Sequence, residues 1–467
     1  MTSTATNPTT SSTPAIRSAG VEVLPGRWIS GWDPEDRRQW DEQGAGIARR
    51  NLRWSIFAEF LGFVVWQLWS IVVVALPGAG FSFSVTQTFW LISIPSLVGA
   101  TLRFPYTFMV PRFGGRNWTV VSALLLLIPA IGLAVCVSNP QTPFPVMLTI
   151  AALAGLGGGN FASSMANITS FYPQREKGWA LGLNAAGGNL GAAVAQFAVP
   201  IVITLGAGAT LGLPLAGLIW IPFILVAAIG AWLRMDNLTS ATADVKASLA
   251  ALRYPELWLM ALLYIGTFGS FIGFSGVFPK LIADQFPAFS AFPLGGATLS
   301  LAFVGALVGS LARPFGGRMA DRFGGSAITI AAFAVMALGA LGVILTLPLH
   351  SFWLFLGFFL LLFVASGAGN GATYRMIPTL FALRAGVSDA HASSGDVSAQ
   401  RASAAALGLV SAIGAYGGFV IPQALGLSKS STGGYAAGLG WFVVAYVLLV
   451  GVTAAVHLRG RRRGVRI

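Results

Sequence analysis

Charge is what this chain of 467 residues has least of: Asp, Glu, Lys and Arg make up 9% of it, against about a quarter of a soluble globular domain. That scarcity excludes a water-soluble enzyme. Cysteine is nearly missing too, and the single Cys136 cannot close an internal disulfide, so the redox compartment stays open. None of the three histidines lies in the middle of an apolar run: His350 and His457 stand at ends and His391 in a polar loop. No metal-ligand cluster and no Ser/His/Asp arrangement can be assembled from such material, so neither a metal, a cofactor nor chemical catalysis is expected. No short apolar core with a cleavage site precedes the first long run, so no removable signal peptide is expected.

What the chain has is hydrophobic length: 55% of it is hydrophobic, and 58 residues are glycine. Crossing a bilayer takes about 20 apolar residues. Runs at 54–76, 84–110, 118–138, 144–172, 178–204, 212–233, 256–278, 292–319, 326–348, 351–376, 402–426 and 435–458 meet that length, which predicts an all-α membrane protein of twelve transmembrane helices. Glycine on this scale suits membrane helices that approach closely. Residues 1–53, rich in Ser, Thr and Pro and then in mixed charge, read as a mobile cytoplasmic tail.

An even number of spans puts both termini on one side. Of the 28 Lys and Arg, Arg103 and Arg313 fall well inside spans and Lys280 and Lys429 in loops of one face; the other 24 gather on the opposite face. The positive-inside rule makes that richer face cytoplasmic and places the chain in the cytoplasmic membrane. The net charge of +13 is therefore topology, and the basic tail 459–467 (Arg459 to Arg466) is expected to face anionic lipid rather than nucleic acid. A polar loop at 234–255, with Asp236, Asp244, Lys246 and Arg253, divides 54–233 from 256–458. A second polar stretch, Ile377 to Arg401, carries no assignable chemistry.

The two halves repeat. Arg103 precedes Phe113-Gly114-Gly115 by ten residues, and Arg313 precedes Phe323-Gly324-Gly325 by the same interval; the arginines are 210 apart, as are Asn160 and Asn370. Three matches at one offset imply two related six-helix halves. Parallel repeats about an axis along the membrane normal set equivalent residues at equal depth across a central cavity. Arg103 and Arg313 should then converge.

An arginine in a membrane helix costs about 2.5–3.5 kcal/mol on insertion scales, so it faces protein or water. Only one acid, Glu59, lies within a span, with Glu256 at the edge of another. Two fixed cations against one acid point to an anion site, with snorkelling to an interface as the alternative reading of the arginines. Guanidinium forks match a small planar oxyanion with parallel N–H donors. Two of them about 4 Å from a monovalent anion each attract it by roughly 4 kcal/mol at an effective dielectric of about 20.

Gly157-Gly158-Gly159-Asn160-Phe161-Ala162-Ser163-Ser164-Met165-Ala166-Asn167-Ile168, followed by Phe171-Tyr172-Pro173, resembles the nitrate signature of the nitrate/nitrite porter family, the NarK-type branch of the major facilitator superfamily. Gly367-Ala368-Gly369-Asn370-Gly371-Ala372-Thr373-Tyr374-Arg375-Met376-Ile377-Pro378 resembles its second signature, and the segments Leu102 to Pro111 and Leu263 to Phe271 are also similar to family segments. The resemblance covers all twelve spans. It implies two pseudo-symmetric six-helix halves that rock around a nitrate, with nitrite as a further substrate and the lipid bilayer as surroundings; a monomer is expected. Carried over residue by residue, Arg103 and Arg313 would bind the anion, Asn189 and Tyr264 would donate hydrogen bonds, and Phe161 and Phe268 would stack on its two faces. The plain reading of either Phe is helix packing. Asn160, Asn167 and Asn370 are expected to bond helix to helix rather than to touch substrate.

The glycine runs lack the Gly-Lys-Ser/Thr of a phosphate loop, which excludes a nucleotide site. Gly317-Arg318-Met319-Ala320-Asp321-Arg322-Phe323-Gly324 resembles a loop motif of the superfamily, in which Asp321 would act as a conformational latch; Pro111 stands at the equivalent place in the first half. The alternative is plain topology signalling by its charges. Glu59 is the one candidate proton carrier. Burial favours its neutral form and a nearby arginine its charged form. If it titrates, nitrate enters with protons; if it reaches water or pairs with Arg53, exchange of nitrate for nitrite is favoured. A passive anion channel, a nitrate-binding membrane sensor and a facilitator for another small anion remain the rival readings.

Overall fold

The computed structural model describes residues 20–207, 212–241, 250–384 and 397–462, without the side chains of 381–384, 397–405 and 459–462. Residues 385–396 of the second polar stretch, 242–249 of the inter-half loop with Asp244 and Lys246, and 463–467 of the basic tail lie outside the described residues.

The first half is built from α1 (Ala45–Ala75), α2 (Val85–Phe113), α3 (Gly115–Val137), α4 (Phe144–Phe171), α5 (Gln174–Ala207) and α6 (Leu215–Arg234). The second is built from α7 (Pro255–Gln285), α8 (Phe303–Phe323), α9 (Gly325–Thr346), α10 (Phe352–Arg384), α11 in two pieces (Val397–Ala415 and Gly417–Thr432) and α12 (Ala436–Arg462). Eleven of these are long and apolar enough to cross a membrane among the described residues. The twelfth, α8, carries Arg313, Arg318, Asp321 and Arg322 and so loses hydropathy, yet it packs inside the bundle against α10 and α5.

Two expectations shift. The eighth span, read from residue 292, begins later: Phe292–Leu294 (β4) and Ala297–Leu299 (β5) form an antiparallel hairpin around Gly295 at φ +60°, and the helix starts only at Phe303. Pro293 and the Gly295-Gly296 pair explain it, because proline lacks a donor and the glycines favour the turn. The tail read as mobile has regular structure from residue 22. Glu22–Leu24 (β1) pairs antiparallel with Trp28–Ser30 (β2), and β2 pairs parallel with Asn237–Leu238 (β3), just beyond α6. The junction is an ion cluster: the Asp236 carboxylate, 2% exposed, accepts from Arg27 at 2.6 Å, Arg50 at 2.7 Å and Asn51 at 2.9 Å. Trp32 packs edge-on against Phe171 and Trp40 against Tyr172, so the segment grips the α4–α5 turn.

The repeat seen in sequence is a repeat in backbone. Both α2 and α8 end in a phenylalanine followed by glycine in one unusual conformation, Gly114 at φ 87°, ψ 147° and Gly324 at φ 94°, ψ 138°. In the signature helices, a Cβ on Gly157 would lie 2.1 Å from the Gly62 carbonyl oxygen, and one on Gly367 would lie 2.0 Å from that of Gly309. Helices α1 and α4 in the first half, and α8 and α10 in the second, therefore touch backbone to backbone.

The halves meet along a polar seam. From mid-depth to the face opposite the termini, Thr101 bonds Tyr416 at 2.9 Å, Gln196 donates to the Ser275 carbonyl at 2.6 Å, Gln423 donates to Ser93 at 2.6 Å, and Thr204 bonds Thr298 at 2.6 Å. That face is closed.

Candidate functional site

Arg103 stands in α2, one turn below Gly99, where the glycine lets Trp66 and Gly158 come close. Its guanidinium is wholly buried. Nε donates to the Gly158 carbonyl at 3.1 Å, and Nη1 crosses to the other half, donating to the Ser411 carbonyl at 2.9 Å and to its hydroxyl at 3.0 Å. Arg313, on α8, is 6% exposed and makes one long hydrogen bond, from Nη2 to the Tyr264 hydroxyl at 3.5 Å. Depth and enclosure dispose of snorkelling, since neither head group reaches an interface.

The two converge. The Phe161 ring has the Arg103 guanidinium carbon 4.4 Å from its centroid and that of Arg313 at 5.9 Å. Phe268 lies 5.0 Å from Arg103, and Tyr374 lies 5.9 Å from Arg313. Each guanidinium keeps one terminal nitrogen without a protein partner, Nη2 on Arg103 and Nη1 on Arg313, and neither forms a salt bridge with a carboxylate among the described residues. Aromatic faces offset part of the cost of burying these charges.

Phe161 and Phe268 face each other across the seam with centroids 6.2 Å apart and planes 29° apart. A π-helical turn at Ile265–Gly269 interrupts α7 and sets Tyr264 and Phe268 in a stack, 5.3 Å and 22°. Such turns widen a helix by one residue and re-aim the side chains on either side of them. Asn189 is buried, and its side-chain oxygen has no protein partner.

Glu59 is 1% exposed and forms no ion pair among the described residues, so it neither reaches water nor pairs with Arg53. One carboxylate oxygen accepts from Ser164 at 2.5 Å and from Asn184 at 2.6 Å, while Oε1 has no partner. A Cβ on Gly188, next to Asn189, would lie 2.4 Å from that free oxygen. The Glu59 carboxyl group on α1 thus packs against the stretch of α5 that carries Asn189.

The other expected residues sort less evenly. Asp321 pairs with Arg375 at 2.7 Å, both about half exposed, and Arg375 also lies against Gly178 of α5. Gly317 has open space beside it. Gly158, Gly159, Gly369 and Gly371 lie against Trp66, Tyr106, Ala332 and the Arg313 backbone respectively. The signature asparagines depart from expectation: both side-chain atoms of Asn160 and of Asn370 are buried without a protein hydrogen bond, as is Nδ2 of Asn167. Sequence reasoning passed over Ser411, Tyr374, Trp66, Ser164 and Asn184. Ser164 and Tyr374 stand inside the signatures, and Asn184 is a polar residue within an apolar span; nothing in sequence marks Ser411.

Residues 58–422 match the sequence model of the Major Facilitator Superfamily. The chain is 43% identical over 455 residues to the nitrate/nitrite transporter NarU of Salmonella typhimurium, covering 93% of this chain and 96% of the relative. It is 36% identical to the probable nitrate/nitrite antiporter NarK2 of Thermus thermophilus, covering 88% and 92%. In fold it is similar to the crystal structure of a bacterial homolog of the human lysosomal transporter Spinster, with a TM-score of 0.60 at 18% identity over 86% of this chain and 94% of that one. With its twelve helices in two repeated halves and a whole-length match to these relatives, the chain is a membrane transporter rather than an enzyme, and it belongs to the nitrate/nitrite porter family of the major facilitator superfamily.

Proposed function

We propose that this protein carries nitrate and nitrite across the cytoplasmic membrane by alternating access, holding the anion between Arg103 and Arg313. The observation that carries the reading is the pair of buried guanidiniums, both over the Phe161 ring, each with one terminal nitrogen unpartnered and neither in a salt bridge among the described residues. A planar oxyanion supplies both missing acceptors. Stacking between two rings needs two van der Waals contacts of about 3.5 Å, roughly 7 Å in all, so Phe161 and Phe268, with centroids 6.2 Å apart, must part slightly to admit the ion. Asn189 and Tyr264 complete the rim, and both termini face the cytoplasm. Asp321 with Arg375 serves as the latch at that face, where Arg375 reaches from one half to the other.

Coupling has two supported forms. Glu59 is the one acid enclosed within a span; it is hydrogen-bonded to Ser164 and Asn184 and in no direct ion pair among the described residues, which supports nitrate entering with a proton. The antiporter name of the Thermus thermophilus relative supports exchange of nitrate for nitrite.

Nitrate flux in proteoliposomes tests the site. Arg103→Lys and Arg313→Lys should each abolish uptake while the protein stays folded, because a point charge cannot supply the fork. Normal uptake in either folded variant refutes the two-arginine clamp.

A further inference from the structure

The face opposite the termini is almost bare of fixed charge. Among the described residues its only Lys or Arg are Lys280 and Lys429, and its only carboxylate is Asp284. All three gather at one point. Lys280 and Asp284 pair one turn apart at the end of α7, and the Tyr435 hydroxyl, at the start of α12, donates to the same carboxylate at 2.5 Å. The Lys429 ammonium lies 5.2 Å from the Tyr435 ring centroid.

Beside this cluster lies a cavity of about 560 Å³, walled by Leu76, Phe81, Ser82 and Phe89 from the first half and by Lys280 and Asp284 from the second. It sits on the seam. The hydrogen bond of Gln423 to Ser93 and that of Gln196 to the Ser275 carbonyl close the path inward to Arg103.

We propose that this cavity is an access vestibule for the transported oxyanion, in which Lys280 and Lys429 draw a small monovalent anion to the seam and hold it loosely until the halves part. The proposal rests on the reading that the cargo is such an anion. Lys280 and Asp284 in the cavity wall, with Lys429 beside them over Tyr435, leave a net positive charge at the recess, which concentrates counter-ions. Direct pairing with Asp284 keeps Lys280 from binding the anion so tightly that passage to the arginines stalls. Anions that arrive elsewhere on this face meet no fixed cation.

Local potential can be read without transport. With Cys136→Ala as background, Ser82→Cys places a thiol in the cavity wall, and its modification rates by an anionic and a cationic methanethiosulfonate give a ratio. Lys280→Gln with Lys429→Gln should lower the anionic-to-cationic ratio at least threefold at low ionic strength, and Asp284→Asn should raise it about threefold; high salt should erase both changes. A ratio indifferent to all three substitutions overturns the proposal. In proteoliposomes, the double lysine variant should raise KM about threefold for nitrate offered at this face and leave KM from the termini side unchanged. Equal KM changes from both sides, or none, also overturn it. If native protein carries no nitrate, the cargo reading fails, and the thiol ratio still decides whether this recess concentrates anions.

Discussion

Arg103 ties the two halves together through Ser411: one terminal nitrogen of the guanidinium donates to both the carbonyl at 2.9 Å and the hydroxyl at 3.0 Å of that residue. The other terminal nitrogen is left without a partner. The arginine is therefore divided between a structural task, closing the seam at mid-depth, and a buried N–H donor group left without an acceptor. An anion that engages the free nitrogen binds a residue that already spans the halves, which is how occupancy can be felt by the rocking motion.

Ser411→Ala should separate the two tasks. It deletes one charge-assisted hydrogen bond and keeps the backbone one, for a loss of about 1.5–3 kcal/mol. Thermal unfolding in detergent should show a lower midpoint with the stabilisation by nitrate retained, whereas Arg103→Ala should lose that stabilisation altogether. Loss of the nitrate effect in Ser411→Ala would assign anion contact to the serine rather than to the guanidinium.

The signature glycines make a sharp contrast possible. A Cβ on Gly157 or Gly367 meets a backbone oxygen at 2.1 or 2.0 Å, and no flexible side chain can yield there. Each alanine substitution must push two helices apart, costing at least the 1–3 kcal/mol typical of overpacking, by order of magnitude about 3. Gly317→Ala, with nothing within 4 Å, should be neutral or stabilise by about 0.4–1 kcal/mol. Folded yield and unfolding midpoints of the three variants check this, and equal behaviour would refute the close approach.

Much of this was legible in the sequence because it is written in properties that survive without coordinates. Two arginines in apolar runs, at the same offset as two glycine-asparagine signatures, forced a duplicated bundle and a shared depth for Arg103 and Arg313. Glu59 stood out as the one acid in a span. What could not be read was the identity of neighbours. Ser411 looks like any small polar residue of a membrane helix, and Ser164 and Asn184 acquire meaning only when α1, α4 and α5 are placed side by side. The tail misled for a different reason: β1 and β2 are three residues each, far too short for a periodic signal, and they are ordered by pairing with β3 and by the Asp236 cluster more than 200 positions away.

Asp236→Asn should loosen that tail without touching the anion site. Asp236 is buried and serves Arg27, Arg50 and Asn51 at once, and removing the charge from a buried ion cluster typically costs about 3–5 kcal/mol; the partial exposure of both arginines brings the expected figure to the low end. Limited proteolysis should begin to cut between residues 20 and 44 in the variant and spare the native protein. Unchanged protection would mean that Trp32 and Trp40 hold the segment by packing alone.

Glu59 offers the test of coupling, because size and charge can be varied separately. Glutamine keeps an oxygen for Ser164 and Asn184 and removes the titrating proton, so Glu59→Gln should fold with nearly native stability. Leucine removes the acceptor of both, leaving Ser164 its bond to Ser55 and Asn184 its bond to Ser164, at about 1–3 kcal/mol in all, and should lower the unfolding midpoint clearly. In proteoliposomes, a pH gradient should drive nitrate accumulation by the native protein and fail to do so in Glu59→Gln, while exchange of external nitrate for internal nitrite persists in both. The geometry that motivates the test is local: the free oxygen of Glu59 lies against Gly188, next to Asn189, so a change of charge at the carboxyl group would be felt in that stretch of α5. Accumulation that survives in Glu59→Gln would remove the carboxyl group from the transport cycle and leave exchange as the mode of operation.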